Sequence, residues 1–111
     1  MLLEYDFIFK KGILFIRLKG EINEVTSKII SEEIDPLIEE NGIKNVVFNL
    51  KEINNIDNKG IATIYECYNR LNERNSDIEL CSIPCNLRSK FAFLLKYIKE
   101  REDEKTILMK I

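Results

Sequence analysis

An α/β fold is expected for this chain: a mixed, mostly parallel sheet with an N-terminal hairpin and about three helices. Three features of the sequence predict it. Two apolar runs flank a short Gly-containing turn at residues 10–12, which signals a hairpin. Beyond residue 25, segments of helical period alternate with short apolar runs, the order that right-handed crossovers lay down as parallel strands. One of those runs, Asn45-Val46-Val47-Phe48-Asn49-Leu50, is nearly continuous in apolar character, as a strand covered on both faces is.

The elements follow in order. In the first strand Tyr5, Phe7 and Phe9 alternate with charged or exposed positions; Lys10-Lys11-Gly12 turns the chain, and residues 13–18 return as a second strand. Residues 25–41 carry Ile30, Ile34, Leu37 and Ile38 on one helical face, with Lys28, Glu32, Asp35 and Glu39 on the other. Pro36 is expected to kink or restart this helix, with Asp35 as a local cap and Pro36 at the first helical position. Gly42 supplies the stop. After the strand at 45–50, a loop through Asn54-Asn55-Ile56 leads to Asp57, a helix cap, and then Ile61, Ile64, Tyr65, Tyr68 and Leu71 recur at helical spacing. Residues 78–83 read as a strand ended by Pro84. Asn86 caps a third helix with the stripe Leu87, Phe91, Leu94, Leu95 and Ile98, and residues 106–109 read as a last short strand. No repeat, low-complexity tract or linker interrupts the β-β-α-β-α-β-α-β order, so residues 1–111 read as one domain.

Composition removes several functions. Hydrophobic residues are 45% and charged residues 32%, ordinary globular usage. With 17 Lys plus Arg against 19 Asp plus Glu the net charge is -2, which gives no electrostatic footing for nucleic acid. There is no His, so no Ser/His or Cys/His catalytic pair and no His-containing metal site exists. The acids are scattered and no nucleophile stands beside a base, so the chain is read as a non-enzyme without cofactor or metal. No apolar run approaches the roughly 18 residues of a membrane span, and Met1 to Tyr5 lacks a basic leader pattern; a cytoplasmic protein without membrane insertion is expected. Cys67, Cys81 and Cys85 form an odd, sparse set read as reduced thiols. Cys81 and Cys85 are expected to be buried and inert, and Cys67 to be the exposed one.

Several short motifs, in order, resemble the STAS domain, the fold of bacterial anti-sigma factor antagonists and of sulfate-transporter tails. Gly20-Glu21-Ile22-Asn23 is similar to that family's Gly-Glu-Leu-Asp at the end of the second strand. Asn45 to Leu50 resembles its third strand, which usually ends in Asp-Leu. Ile56-Asp57-Asn58-Lys59-Gly60-Ile61-Ala62 falls where the family writes Ile-Asp-Ser-Ser-Gly-Leu-Gly. The resemblance covers nearly the whole chain and implies a single STAS-like domain that works by binding protein, its partner an ATP-binding anti-sigma factor or related kinase.

The departure from the pattern is as informative as the match. In phosphorylation-switched antagonists the acceptor hydroxyl sits in the Asp-Ser-Ser-Gly turn, and here both hydroxyl positions are occupied by Asn58 and Lys59. Neither an amide nor an ammonium group forms a stable phosphate ester, and Lys59 has the wrong sign to imitate one. Thr63 is an atypical candidate acceptor one turn on, although a hydroxyl on a formed helix commonly bonds back to a carbonyl. Asp57 remains, as a cap favoured by about 0.3–1 kcal/mol at the positive end of a helix.

By resemblance, Asn55, Asp57, Asn58, Lys59, Ala62, Thr63 and Glu66 are the partner contacts; from the residues alone they read as solvated polar positions. Helical geometry puts Ala62, Thr63, Glu66 and Arg70 on the outer face and Ile61, Ile64, Tyr65 and Tyr68 on the buried one. Phe93 and Tyr97, on one side of the third helix and flanked by Lys90 and Lys96, form a second candidate patch that could bury against a partner or a second copy in a weak homodimer. Acids dominate residues 21–42 and bases residues 84–101, a division that reads as solvated helix faces or as opposed steering fields. Two other functions remain in view: a scaffold or subunit docking on a transport ATPase, and a domain sensing nucleotide or lipid. Against the last, Gly60 stands alone, without a phosphate-cradling loop.

Overall fold

The structure, a computed structural model, describes residues 2–111; Met1 lies outside the described residues. Five strands form one sheet in the order β1-β2-β3-β4-β5: β1 Leu3–Lys10, β2 Ile13–Ile22, β3 Asn45–Ile56, β4 Asp77–Cys81 and β5 Lys99–Arg101. β1 and β2 are antiparallel, and every later pairing is parallel. The mixed sheet, its opening hairpin and the parallel remainder are as the sequence predicts. Lys11 and Gly12 both take positive φ (52° and 82°), the tight two-residue turn whose twist suits a hairpin.

Because neighbouring strands follow chain order and parallel crossovers are right-handed, the connecting helices collect on one face. There Leu14, Ile16 and Leu18 of β2, Val46, Phe48 and Leu50 of β3, and Ile78 and Leu80 of β4 meet Ile30, Ile34, Ile64, Leu71, Phe91 and Leu94 from the helical layer. Phe48 and Phe91 are fully buried in it; truncating such a ring typically costs about 3–5 kcal/mol. The opposite face carries a small second core of Phe15, Val47, Cys81 and Ile107.

The first helical run is continuous from residue 27 to 40: α1 Ser27–Ile29, a wide π-helical turn Ile30–Ile34, and α2 Asp35–Glu40. Pro36 is tolerated by widening the turn before it, with the Asp35 N–H donating to Ile30 O five residues back, rather than by a restart. Asp35 is accordingly not a cap. It is helical, buried, and turned toward Arg70.

Four other expectations change. β3 continues through Asn54-Asn55-Ile56, expected as loop, because the ten residues of β2 keep pairing with it as far as Ile22↔Ile56. The third helix is broken into a 3-10 turn Cys85–Leu87, α4 Arg88–Phe91 and a second 3-10 turn Leu94–Lys96, so Asn86 lies inside a turn and caps nothing. The last strand is Lys99–Arg101, a charged segment with no apolar alternation to announce it. Residues expected as a strand at 106–109 belong instead to α5, Glu104–Met109, whose N-terminus is fixed by the Asp103 side chain accepting from Thr106 N at 2.7 Å. α5 covers part of the second face and buries Ile107 there. The longest helix, α3 Asn58–Glu73, is where the sequence places it.

Candidate functional site

The C-terminal ends of β2 and β3 lie side by side, so the segment after Ile22 is brought against the corner after Ile56. Asp57 joins the two. Its N–H donates to Ile22 O (3.0 Å), its Oδ1 accepts from Gly60 N (2.8 Å), and its Oδ2 accepts from Glu24 N (3.3 Å). One carboxylate thus caps α3 and ties down the neighbouring loop.

That loop is itself held by Asn23, whose Oδ1 accepts from both Val25 N and Thr26 N at 2.9 Å. An acceptor oxygen is all this turn needs, so an amide serves where a carboxylate would. Thr26 completes the loop, its hydroxyl donating to Glu21 O at 2.6 Å. Gly60 is required by close approach: a Cβ there would stand 2.7 Å from Ile22 O and 2.8 Å from the Ile22 and Ile56 side chains. The corner is therefore rigid behind and open in front.

Asp57, Asn58, Lys59 and Glu66 are exposed, and Asn55 and Ala62 half-buried. Thr63, expected on the outer face, is instead 5% exposed, with its hydroxyl donating to Lys59 O at 2.9 Å. Its helical position lies about 100° around α3 from Ala62, and burial takes it out of the accessible surface. Arg70, also expected outward, lies half-buried against Asp35.

Phe93 and Tyr97 are exposed at 44% and 48%. They are not an isolated patch. Tyr65 of α3 stands between them and the helix, with ring centroids 5.3 Å from Phe93 and 5.1 Å from Tyr97, and the two rings are themselves 5.4 Å apart. Edge and tilted arrangements at these separations are mutually attractive. Lys90 Nζ donates to Asn55 Oδ1 beside them. The two candidate surfaces are thereby one, running from the Asp57 corner along Ala62 to the three rings. The sequence predicts Tyr65 on the buried side, and it does pack partly buried against the main core; its second role beside Phe93 and Tyr97 is signalled only by its position seven residues after Asn58, on the same helical face. Val25, 75% exposed in the loop tied to Asp57, is the other residue overlooked at this corner.

Cys81 is buried as expected, and the other two cysteines sort opposite to expectation. Cys67 is buried on the inner face of α3, where desolvation pushes its thiol up to about 12, and Cys81 is buried under α5, pushed up to about 11 for the same reason. Cys85, in the first 3-10 turn, is the exposed one. Among the described residues no His/Cys/Asp/Glu group has the arrangement to hold a metal ion, and no helix is long and apolar enough to cross a membrane.

A groove of about 650 Å³ lies on the other face of the sheet, lined by Arg17, Asn49, Lys51 and Glu104 among others. Two of its charges satisfy each other: Arg17 holds Glu104 through Nε and NH2 bonds of 3.0 and 2.9 Å, and Asn49 donates to Glu104 at 2.6 Å. The hydrogen-bonded guanidinium keeps the Glu104 carboxyl below its ordinary value. No buried side-chain polar atom among the described residues lacks a partner.

The STAS domain family pattern matches residues 5–99, spanning the hairpin, the capped corner, α3 and the broken helix. The chain belongs to the STAS domain family. An anti-sigma F factor antagonist from Paenibacillus polymyxa is 25% identical over 83 residues, covering 75% of this chain and 71% of the relative. The fold is shared with the Bacillus protein SpoIIAA, an anti-sigma factor antagonist. Its unphosphorylated form has a TM-score of 0.74 at 15% identity over 96% of both chains, and its phosphorylated form 0.72 at 17% identity over 97% of this chain and 100% of that one. An anti-sigma factor antagonist from Mycobacterium paratuberculosis superposes with a TM-score of 0.80 at 14% identity, over 98% of this chain and 93% of that one. In this STAS domain the five-stranded sheet, mostly parallel with an N-terminal hairpin, matches the SpoIIAA fold, and positions 58 and 59 hold Asn and Lys.

Proposed function

We propose that this STAS domain is a non-enzymatic binding module of the anti-sigma factor antagonist kind, and that it docks an ATP-binding anti-sigma factor or related kinase. The docking surface runs from Asn55, Asp57, Asn58 and Lys59 through Ala62 and Glu66 to Tyr65, Phe93 and Tyr97. Binding at this surface is not relieved by phosphorylation of the α3 turn.

One observation carries the reading: the corner is exposed and preorganised, yet offers no accessible hydroxyl. Within residues 55–63 the sole hydroxyl belongs to Thr63, and it is buried and bonded to Lys59 O. A phosphate at a helix N-terminus would add about -1.5 to -2 charges to a docking face, enough to expel a partner. Here the capping carboxylate and the rigid loop that such a site uses are retained without a group to modify. The small Ala62 side chain admits close approach by another backbone, and the aromatic cluster supplies the apolar area that anchors binding.

The test uses the intact protein, the candidate kinase and ATP. Intact-mass measurement is expected to find no phosphate on the 55–63 segment while the two proteins still co-elute after incubation. A phosphate mapped to this segment, or release of the partner by ATP through it, would overturn the reading.

A further inference from the structure

The two edges of the sheet are built differently. At one edge β5 has three residues, Lys99-Glu100-Arg101, with Glu100 paired to Arg88 and Arg101 to Glu79. Short charged edges resist strand pairing. At the other edge β1 has eight residues and exposes Phe7, Ile8 and Phe9 at 49%, 36% and 58%.

The backbone of β1 is open as well. The two-residue turn makes Lys10 and Ile13 a pair that exchanges both ladder hydrogen bonds, and the register runs unbroken from Lys10↔Ile13 to Leu3↔Gly20. Alternation then directs the N–H and C=O of residues 4, 6, 8 and 10 toward β2. Those of Tyr5, Phe7 and Phe9 point away from the sheet, where no further strand lies among the described residues.

We propose that β1 pairs antiparallel with β1 of a second copy of this chain, about a two-fold axis at Phe7, joining two five-stranded sheets. In that register Phe7 lies opposite Phe7 of the second copy, Tyr5 opposite its Phe9, and Glu4 opposite its Lys10. The pairs at 5, 7 and 9 are those whose outward backbone groups exchange hydrogen bonds. Their rings share the helix-covered side of the sheet, since Tyr5, Phe7 and Phe9 sit opposite Leu18, Ile16 and Leu14, which belong to the main core. Tyr5 and Phe7 already stack, with centroids 6.5 Å apart. Glu4 and Lys10 fall on the other side, where both two-fold copies of the ion pair form.

Neighbouring registers are poorer. An axis at Asp6 sets Asp6 against itself, a like-charge pair that is destabilising across strands. An axis at Ile8 keeps an Asp6–Lys10 pair but sets Tyr5 against Lys11, whose φ of 52° has left the strand, and so shortens the ladder. The register at Phe7 alone combines stacked aromatics, both charge pairs and the full outward hydrogen-bonding set. None of its residues lies in the α3 corner, so the dimer and the docking surface are separate.

Sedimentation velocity of the full chain from low to high micromolar concentration tests this. A reversible monomer–dimer equilibrium is expected. Lys10→Glu and Glu4→Lys, each made alone, set like charges opposite one another twice and are expected to weaken the dimer by about tenfold. The double variant Glu4→Lys/Lys10→Glu restores it. Phe7→Pro removes an outward N–H without touching the β1–β2 ladder and is expected to be monomeric with unchanged circular dichroism; should it not fold, the charge exchange decides. A chain that stays monomeric throughout, as a β1 edge serving some other protein's strand would leave it, overturns the proposal. So does a dimer indifferent to the single charge reversals, or a double variant no stronger than the singles.

Discussion

Asp35 on α2 and Arg70 on α3, 35 residues apart in sequence, are joined by a 2.6 Å hydrogen bond from Arg70 Nε to Asp35 Oδ2. The carboxylate side chain is 5% exposed and the guanidinium 40%, so the acid depends on this partner far more than the base does. Removing the base leaves a buried charge uncompensated, whereas removing both leaves apolar groups in an apolar place. Arg70→Leu is therefore expected to lose about 2–4 kcal/mol of stability in urea denaturation, and Asp35→Leu/Arg70→Leu to recover most of it. A neutral Arg70→Leu would show that solvent already screens the pair.

The Asp57 carboxylate uses both oxygens, one for the α3 cap and one for the Glu24 amide. Alanine removes both acceptors and is expected to cost about 1–2 kcal/mol. Asparagine keeps one acceptor, retains the cap and loses the tie to the loop, so its cost should be a fraction of that. Hydrogen exchange separates the two roles. In Asp57→Asn the Gly60 amide should stay protected while the Glu24 amide exchanges faster; equal exposure of both would refute the division of labour.

Thiol chemistry gives a direct reading of burial. Thiolate is the reactive form, and burial raises the Cys67 and Cys81 thiols to about 12 and about 11 while also blocking access. At neutral pH one cysteine, Cys85, is expected to react promptly with a maleimide, located by peptide mass mapping. The other two should react only after denaturation. Prompt labelling of Cys67 would mean that α3 opens away from the sheet.

Much of this architecture could be read from the chain because its signals are local. Lys11-Gly12 marks the hairpin, the apolar run at 46–48 marks a central strand, and Asp57 with Gly60 marks the start of α3. What could not be read depends on tertiary partners. Lys99-Glu100-Arg101 is a strand because Cys81 and its neighbours offer an edge and because Arg88 and Glu79 receive its charges. Asp35 looked like a cap because it precedes a proline, but a π-turn moved that proline's cost one turn earlier and freed the acid to meet Arg70. Asp103 and Thr106 did carry a local capping signal for α5, outweighed by the strand-like composition of residues 106–109. At the candidate site the exposed corner at 57–59 was legible from the sequence. The inward turn of Thr63 and the union of Tyr65 with Phe93 and Tyr97 were not, since both depend on what packs beside α3 in the folded molecule.

That union makes the proposed docking surface divisible by mutation. Ala62 lies at the centre of the strip, and Ala62→Arg puts a long charged side chain where a partner's backbone would approach. Phe93→Asp removes one of three mutually packed rings and plants a charge beside the other two. Phe93 is 44% exposed but packs on Tyr65 and Tyr97, so its replacement should lower the unfolding midpoint modestly while the chain stays folded, and half-buried Ala62 should tolerate arginine by extending it into solvent. Against the partner each variant is expected to weaken binding by about thirtyfold or more, the loss typical of an anchoring position. Calorimetric titration measures both. If Ala62→Arg abolishes binding while Phe93→Asp binds as the wild type, the surface ends at Glu66 and the rings serve only to brace α4 against α3. If both bind normally, the α3 corner is not the docking site, and the retained cap at Asp57 is a structural feature of the fold alone.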